Sequence, residues 1–183
     1  MLTFKQYLNE VLNNPYKWEF DDKNSGHDGV LYKFTTDPGL QYTVYMFYRN
    51  RRGWELTFNM DFNYIRDKLG RSVDAAFKIS GTGDQFRVFA TVQDIVKDFI
   101  TKKKPNAIEF SASEPSRRRL YSTFIANFEK SQPELFKKYI ALSIANGTDN
   151  YIMNRDFAKE ILNGPDDSYF YSKIPSEYRD ELR

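Results

Sequence analysis

Apolar and polar positions alternate along the chain with two periods. Phe4, Tyr7, Leu8, Val11 and Leu12 recur at helical spacing, with Thr3 and Gln6 at capping-box distance. Residues 1–13 are therefore expected to form an amphipathic helix, ended by Asn13-Asn14-Pro15. The period then falls to two. Tyr16, Trp18 and Phe20 alternate with polar residues, a loop is expected at 24–29, and strands are expected over 30–36, 41–48 and 54–60. Asp37-Pro38-Gly39 and Asn50-Arg51-Arg52-Gly53 supply the turns between them. These strands predict an antiparallel meander. A short helical turn is expected over 64–69.

The period changes again further on. Residues 73–80 have the composition of a strand that ends at Gly81-Thr82-Gly83-Asp84. Val88, Phe89, Val92, Ile95, Val96, Phe99 and Ile100 mark the clearest amphipathic helix, closed by Lys102-Lys103-Lys104-Pro105. Residues 107–112 form a strand. A helix then begins with Pro115 at its first position and carries Leu120, Tyr121, Phe124, Ile125 and Phe128 as its stripe. This β-α-β-α order favours two parallel strands joined by a right-handed crossover, with 73–80 and 107–112 as neighbours. Over 133–153 two patterns fit. Leu135, Phe136, Tyr139 and Ile140 suit a helix, whereas Ile140, Leu142 and Ile144 alternate as in a strand that Asn146-Gly147 could turn. Residues 156–162 are helical, stopped by Gly164-Pro165. The expected fold is α+β: an antiparallel β-meander continuing into a β-α-β-α unit, as a mixed sheet flanked by helices. One domain is expected over 1–164, with 165–183 as a loosely held polar tail.

Composition narrows the chemistry. The 183 residues are 40% apolar and 28% charged, and 16 Phe and 13 Tyr rule out a disordered chain. With no Cys, there are no disulfides, thiolate metal sites or Cys nucleophiles. With His27 alone, no multi-His metal site can form within one chain. The net charge of +2 does not by itself point to nucleic acid. No apolar run approaches the roughly 20 residues of a membrane span, and the opening residues lack the basic and apolar regions of a signal peptide. A cytoplasmic location without membrane contact is expected.

The candidate chemistry is an anion-binding corner. Gly81-Thr82-Gly83, with Asp84, precedes one helix, and missing side chains there let a ligand approach backbone N–H groups. Arg117, Arg118 and Arg119 stand in the first turns of the next helix, where cations oppose the helix dipole by about 0.3–1 kcal/mol each. Parallel strands would bring both helix starts to one sheet edge. Lys102–Lys104 lie at a helix C-terminus, where cations are favoured anyway. Arg49, Arg51 and Arg52 with Tyr45 or Tyr48 form a mixture suited to single-stranded nucleic acid, or a solvated turn. Ser25, His27 and Asp28 have the residue types of a triad but no nucleophile elbow. The pairs Asp21-Asp22 and Asp166-Asp167 fall in loops, and no metal site is expected from them.

Two resemblances follow. Strand, Gly81-Thr82-Gly83 loop, long helix, strand, and helix with Leu120-Tyr121 resemble the centre of the GNAT acyltransferase fold over residues 73–128. That resemblance implies acetyl-CoA as cofactor, held at Gly81 and Gly83, and Tyr121 as general acid. Lys78 stands where the family's motif has Arg or Gln. The segments G-T-G-D-Q-F-R-V-F-A-T-V (81–92) and E-P-S-R-R-R-L-Y (114–121), with the opening Met1-Leu2-Thr3-Phe4-Lys5-Gln6-Tyr7-Leu8-Asn9-Glu10, resemble uncharacterised proteins of tailed bacteriophages. This second likeness implies a phage accessory protein in the host cytoplasm or the virion. The expected function is binding, without a cofactor, to a host or virion protein or to nucleic acid. Acyl transfer from acetyl-CoA is the alternative.

Overall fold

The computed structural model describes residues 14–37, 39–50, 53–60, 85–111, 115–143, 149–164 and 169–182. The expected helices over 1–13 and 64–69, and the strand over 73–80, lie outside the described residues. The fold is α+β. Its strands are β1 (Trp18–Phe20), β2 (Gly29–Thr35), β3 (Gln41–Tyr48), β4 (Trp54–Met60), β5 (Ala107–Ser111), β6 (Tyr139–Ser143) and β7 (Asp149–Asn154). They form a seven-stranded sheet in the order β1-β2-β3-β4-β5-β7-β6. The helices are α1 (Gln85–Lys103), α2 (Pro115–Ser131), α3 (Pro133–Phe136), α4 (Arg155–Asn163) and α5 (Ser176–Leu182). The chain divides into two compact units, Met1–Met46 with Thr57–Lys103, and Phe47–Leu56 with Lys104–Arg183.

In the first unit, period-two patterning does what it should. Val30, Tyr32 and Phe34 of β2 and Tyr42, Val44 and Met46 of β3 are all buried, while the residues between them are more exposed. The stripe of α1 is buried along its length, from Val88 to Ile100. Polar ties fix α1 to the strands: the Tyr16 N–H donates to Thr91 Oγ1 at 2.8 Å, and Trp18 Nε1–H to Asp94 at 2.8 Å. Tyr32 Oη–H reaches Asp98 at 3.4 Å, and the rings of Phe58 and Phe89 meet edge to face.

In the second unit, β5 has both edges occupied. β4 pairs with it in parallel, Trp54 opposite Ile108 and Leu56 opposite Phe110, and β7 pairs antiparallel along all of it. The parallel neighbour of β5 is therefore β4, which corrects the expected pairing with 73–80. Periodicity marks a strand but carries no information on its neighbour. Gly53 makes the approach to β5 possible. Its φ is +72°, and a Cβ there would lie 2.7 Å from the carbonyl oxygen of Ala107.

Alternation then splits the second unit's strands between two faces. Phe110 meets Tyr121 and Phe124 of α2. Ala107, Ile140, Leu142, Tyr151 and Met153 instead join Ala158, Ile161 and Leu162 of α4. Between 133 and 143 the two competing patterns apply in succession, a four-residue helix and then a strand. Against the expectation of a loose polar tail, Phe170, Ile174 and Leu182 are buried in the α4-side core.

Candidate functional site

Gly81, Thr82, Gly83 and Asp84 lie outside the described residues. Arg117, Arg118 and Arg119 fall in the first two turns of α2, in the second unit, whereas α1 belongs to the first. Tyr121 is 4% exposed, with its ring against Phe110, so it is placed as a packing residue of α2. His27 Nδ1 pairs with Asp28 at 2.9 Å in full exposure. The Ser25 hydroxyl is held apart by the loop: it donates to Asp21 O at 2.7 Å and accepts from Leu31 N–H at 2.9 Å. No Ser–His–Asp arrangement forms. Lys102 pairs with Asp98 at 2.9 Å on its own helix. Arg49 donates to Glu55 at 2.9 Å and lies over the Phe47 ring, while Tyr45 and Tyr48 are exposed. Arg51, Arg52 and Asp166-Asp167 lie outside the described residues. Among the described residues no group of three or more metal-ligating His, Asp or Glu occurs, and no helix is long and apolar enough to cross a membrane.

The candidate site is a cleft in the first unit, of about 780 Å³, bordered by Tyr16–Glu19, by β2, and by Arg87. Its floor is a stack. The Arg87 guanidinium lies 3.9 Å from the centre of the Tyr16 ring, which stacks on Phe34, which stacks on Tyr42. Arg87 is pinned further by donating to Asn14 O at 2.9 Å and to Asp37. The rim carries both signs of charge, with Lys17, Lys33 and Arg87 against Glu19 and Asp37. Lys33 leans on Asp21 at 2.6 Å. With Lys33 as the main hydrogen-bond partner and Asn24 the second, the Asp21 carboxyl is lowered to about 2.

The cleft borders an edge whose backbone groups can be assigned. Asp21 N–H donates to Leu31 O at 2.8 Å, which puts the pair 21 and 31 in the hydrogen-bonding phase of the ladder, although the Leu31 N–H goes to Ser25 Oγ. Such pairs alternate in an antiparallel ladder, so Glu19 opposite Lys33 is the next one. Trp18 and Phe20 therefore turn their N–H and C=O groups away from β2. Tyr16 belongs to the same outward set, and its N–H is taken by Thr91. Among the described residues β1 is the last strand on this side of the sheet, and Phe20 is 45% exposed. Residue patterns could not reveal this site, because Tyr16 and Arg87 are joined only by the fold. One clue was available in Thr91, a hydroxyl within the apolar stripe of α1, fully buried and donating to Arg87 O.

A second polar cluster is buried in the other unit. Glu109 is 6% exposed, and its Oε1 accepts from Tyr151 Oη–H at 3.0 Å and Tyr169 Oη–H at 3.4 Å. Burial pushes the Tyr151 hydroxyl up, and its neighbours Tyr169 and Glu109 add to this. On the α2 side, Asn150 Oδ1 accepts from Ser122 and Ser143. Glu109, Asn150 and Tyr151 are buried, whereas Ser122 is half-buried and Ser143 is exposed.

A family model described as "Family of unknown function (DUF6934)" matches residues 15–159, most of the chain, and the chain belongs to that family. Searches of curated proteins and of solved structures find no match.

Proposed function

We propose that this family member works by binding a partner protein, taking an extended segment of that partner along β1 with side chains lodged in the adjoining cleft. One juxtaposition carries the reading: outward-facing backbone groups of Trp18 and Phe20 run beside a cleft whose aromatic floor is already immobilised. Strand addition draws affinity from main-chain hydrogen bonds and selectivity from pockets for alternate side chains. The stacked Tyr16, Phe34 and Tyr42 need little further ordering on binding, which limits the entropic cost. Lys17 and Lys33 favour acidic side chains in the incoming segment, and Glu19 and Asp37 disfavour a run of them.

The test begins with selection of binders from a random peptide library on the purified protein. A selected peptide should shift the backbone amide resonances of Trp18 and Phe20. Its affinity should fall at least tenfold in a Lys17→Glu/Thr35→Arg variant with an unchanged melting temperature. Both positions are exposed on the rim of the cleft. Undiminished binding to that variant would refute the reading. Saturable binding of acetyl-CoA, lost in Arg117→Ala/Arg118→Ala, would move it to acyl transfer.

A further inference from the structure

The far edge of the sheet, β6, has a different character from β1. β1 is three residues long and is punctuated by Lys17, Glu19 and Asp21, the devices that keep an edge from pairing indiscriminately. From Tyr139 to Ala145 the chain carries neither charge nor proline.

Its backbone directions follow from the ladder. Asn154 N–H donates to Asn106 O at 2.8 Å, and Arg155 N–H to Lys138 O at 2.9 Å. Positions 138 and 155 are thus a hydrogen-bonded pair, and by alternation so are Ile140 with Met153 and Leu142 with Tyr151. Tyr139, Ala141 and Ser143 therefore direct N–H and C=O away from β7. β6 has no strand on that side among the described residues. Tyr139 is buried, Ala141 half-buried and Ser143 exposed, so the accessible part of the edge is Ala141–Ser143.

We infer that β6 is a self-association edge, pairing antiparallel with β6 of a second copy of this chain about a two-fold axis at Leu142. Ala141 then exchanges two hydrogen bonds with Ser143 of the partner subunit, and Ser143 two with Ala141 of the partner subunit.

Charge selects this arrangement. A parallel, in-register pairing would set the Lys137-Lys138 pairs of the two copies about 5 Å apart. The antiparallel pairing separates them by eight positions, roughly 27 Å along the strand. That exceeds the screening length of about 10 Å at 0.1 M salt. A self-complementary apolar strand also fits an isologous two-fold contact, in which each position supplies what its counterpart needs.

Ala141→Pro tests the inference, because the N–H it removes points outward and no bond to β7 is lost. Sedimentation across 1–200 μM should give a concentration-dependent dimer for the wild type and a monomer for Ala141→Pro, with the same circular dichroism. A wild type that stays monomeric, or a variant that dimerises as well, overturns it. Hydrogen exchange on the wild type covers the case of a variant that fails to fold. The Ala141 and Ser143 amides should gain at least tenfold protection between the lowest and highest concentrations, while Trp18 and Phe20 stay unchanged. Equal exchange of Ala141 and Ser143 at both concentrations overturns the inference.

Discussion

Asp21 shows how much one carboxylate can organise. It accepts from Asn24 N–H at 3.2 Å, from Asn24 Nδ2–H at 2.8 Å and from Lys33 Nζ at 2.6 Å, which closes the 22–24 turn against β2. Its pKa is about 2 in the fold against an ordinary 3.8, so the folded state binds this proton less readily than the unfolded chain. The contribution is complete above the unfolded value and is lost as pH falls from about 4 to about 2. Other carboxylates titrate over the same range, so the informative quantity is a difference. The melting temperature of the wild type should exceed that of Asp21→Asn at pH 5, and the gap should narrow steadily as pH falls towards 2. A gap that stays constant across that range would show that ionisation of Asp21 does not couple to folding. Sequence placed Asp21 in a loop next to Asp22 and stopped there. What distinguishes the two is Lys33, twelve positions on, which the β1–β2 register brings alongside.

At the level of elements, legibility followed how cleanly the positions alternate. β3 and β4 were readable to the residue: burial alternates along β3, and polar Glu55, Thr57 and Asn59 alternate with Trp54, Leu56 and Phe58 along β4. The segment that forms β6 was ambiguous because Leu135, Phe136, Tyr139 and Ile140 fit a helix while Ile140, Leu142 and Ile144 fit a strand, and buried Tyr139, Ile140 and Leu142 leave no clean alternation to decide between them. The boundary between β7 and α4 is set instead by Asn154. Its extended backbone and its Oδ1, which accepts from Asp156 N–H at 2.9 Å and Phe157 N–H at 3.1 Å, make it the N-cap of α4. Asn154→Ala should cost about 1 kcal/mol in urea denaturation, with the slope of the transition unchanged. A loss below a few tenths of a kcal/mol would mean that the strand pairing, rather than the cap, fixes the start of α4. The parallel contact of β4 and β5 lay beyond sequence reading for a related reason. The connection between them spans residues 61–106, and periodicity within it says nothing about which strand it returns to.

At the scale of the whole molecule, composition misled where a few residues outweigh many. Residues 165–183 are rich in Asp, Glu, Ser, Lys and Arg, and were therefore read as a tail. Yet the polar groups are themselves anchors. Lys173 pairs with Asp149 at 3.1 Å, and Arg179 donates to Ile174 O at 3.0 Å and Tyr171 O at 3.3 Å while lying over the Tyr171 ring. Between them Phe170, Ile174 and Leu182 complete the core that β6, β7 and α4 begin. Burying a side chain of this size contributes about 1.5–3 kcal/mol, so the three together contribute roughly 5–9 kcal/mol. A domain of this kind has a total stability of only about 5–15 kcal/mol. Removing residues 165–183 should therefore unfold the second unit rather than trim it. Hydrogen exchange should show the amides of β6 and β7 losing their protection, while those of β2 and β3, packed with α1 in the first unit, keep most of theirs. A truncated chain with β6 and β7 protected as in the full chain would restore these residues to the status of a tail. Loss of protection in both units alike would show that the two fold as one cooperative body, with the cleft beside β1 then depending on the C-terminal residues for its stability.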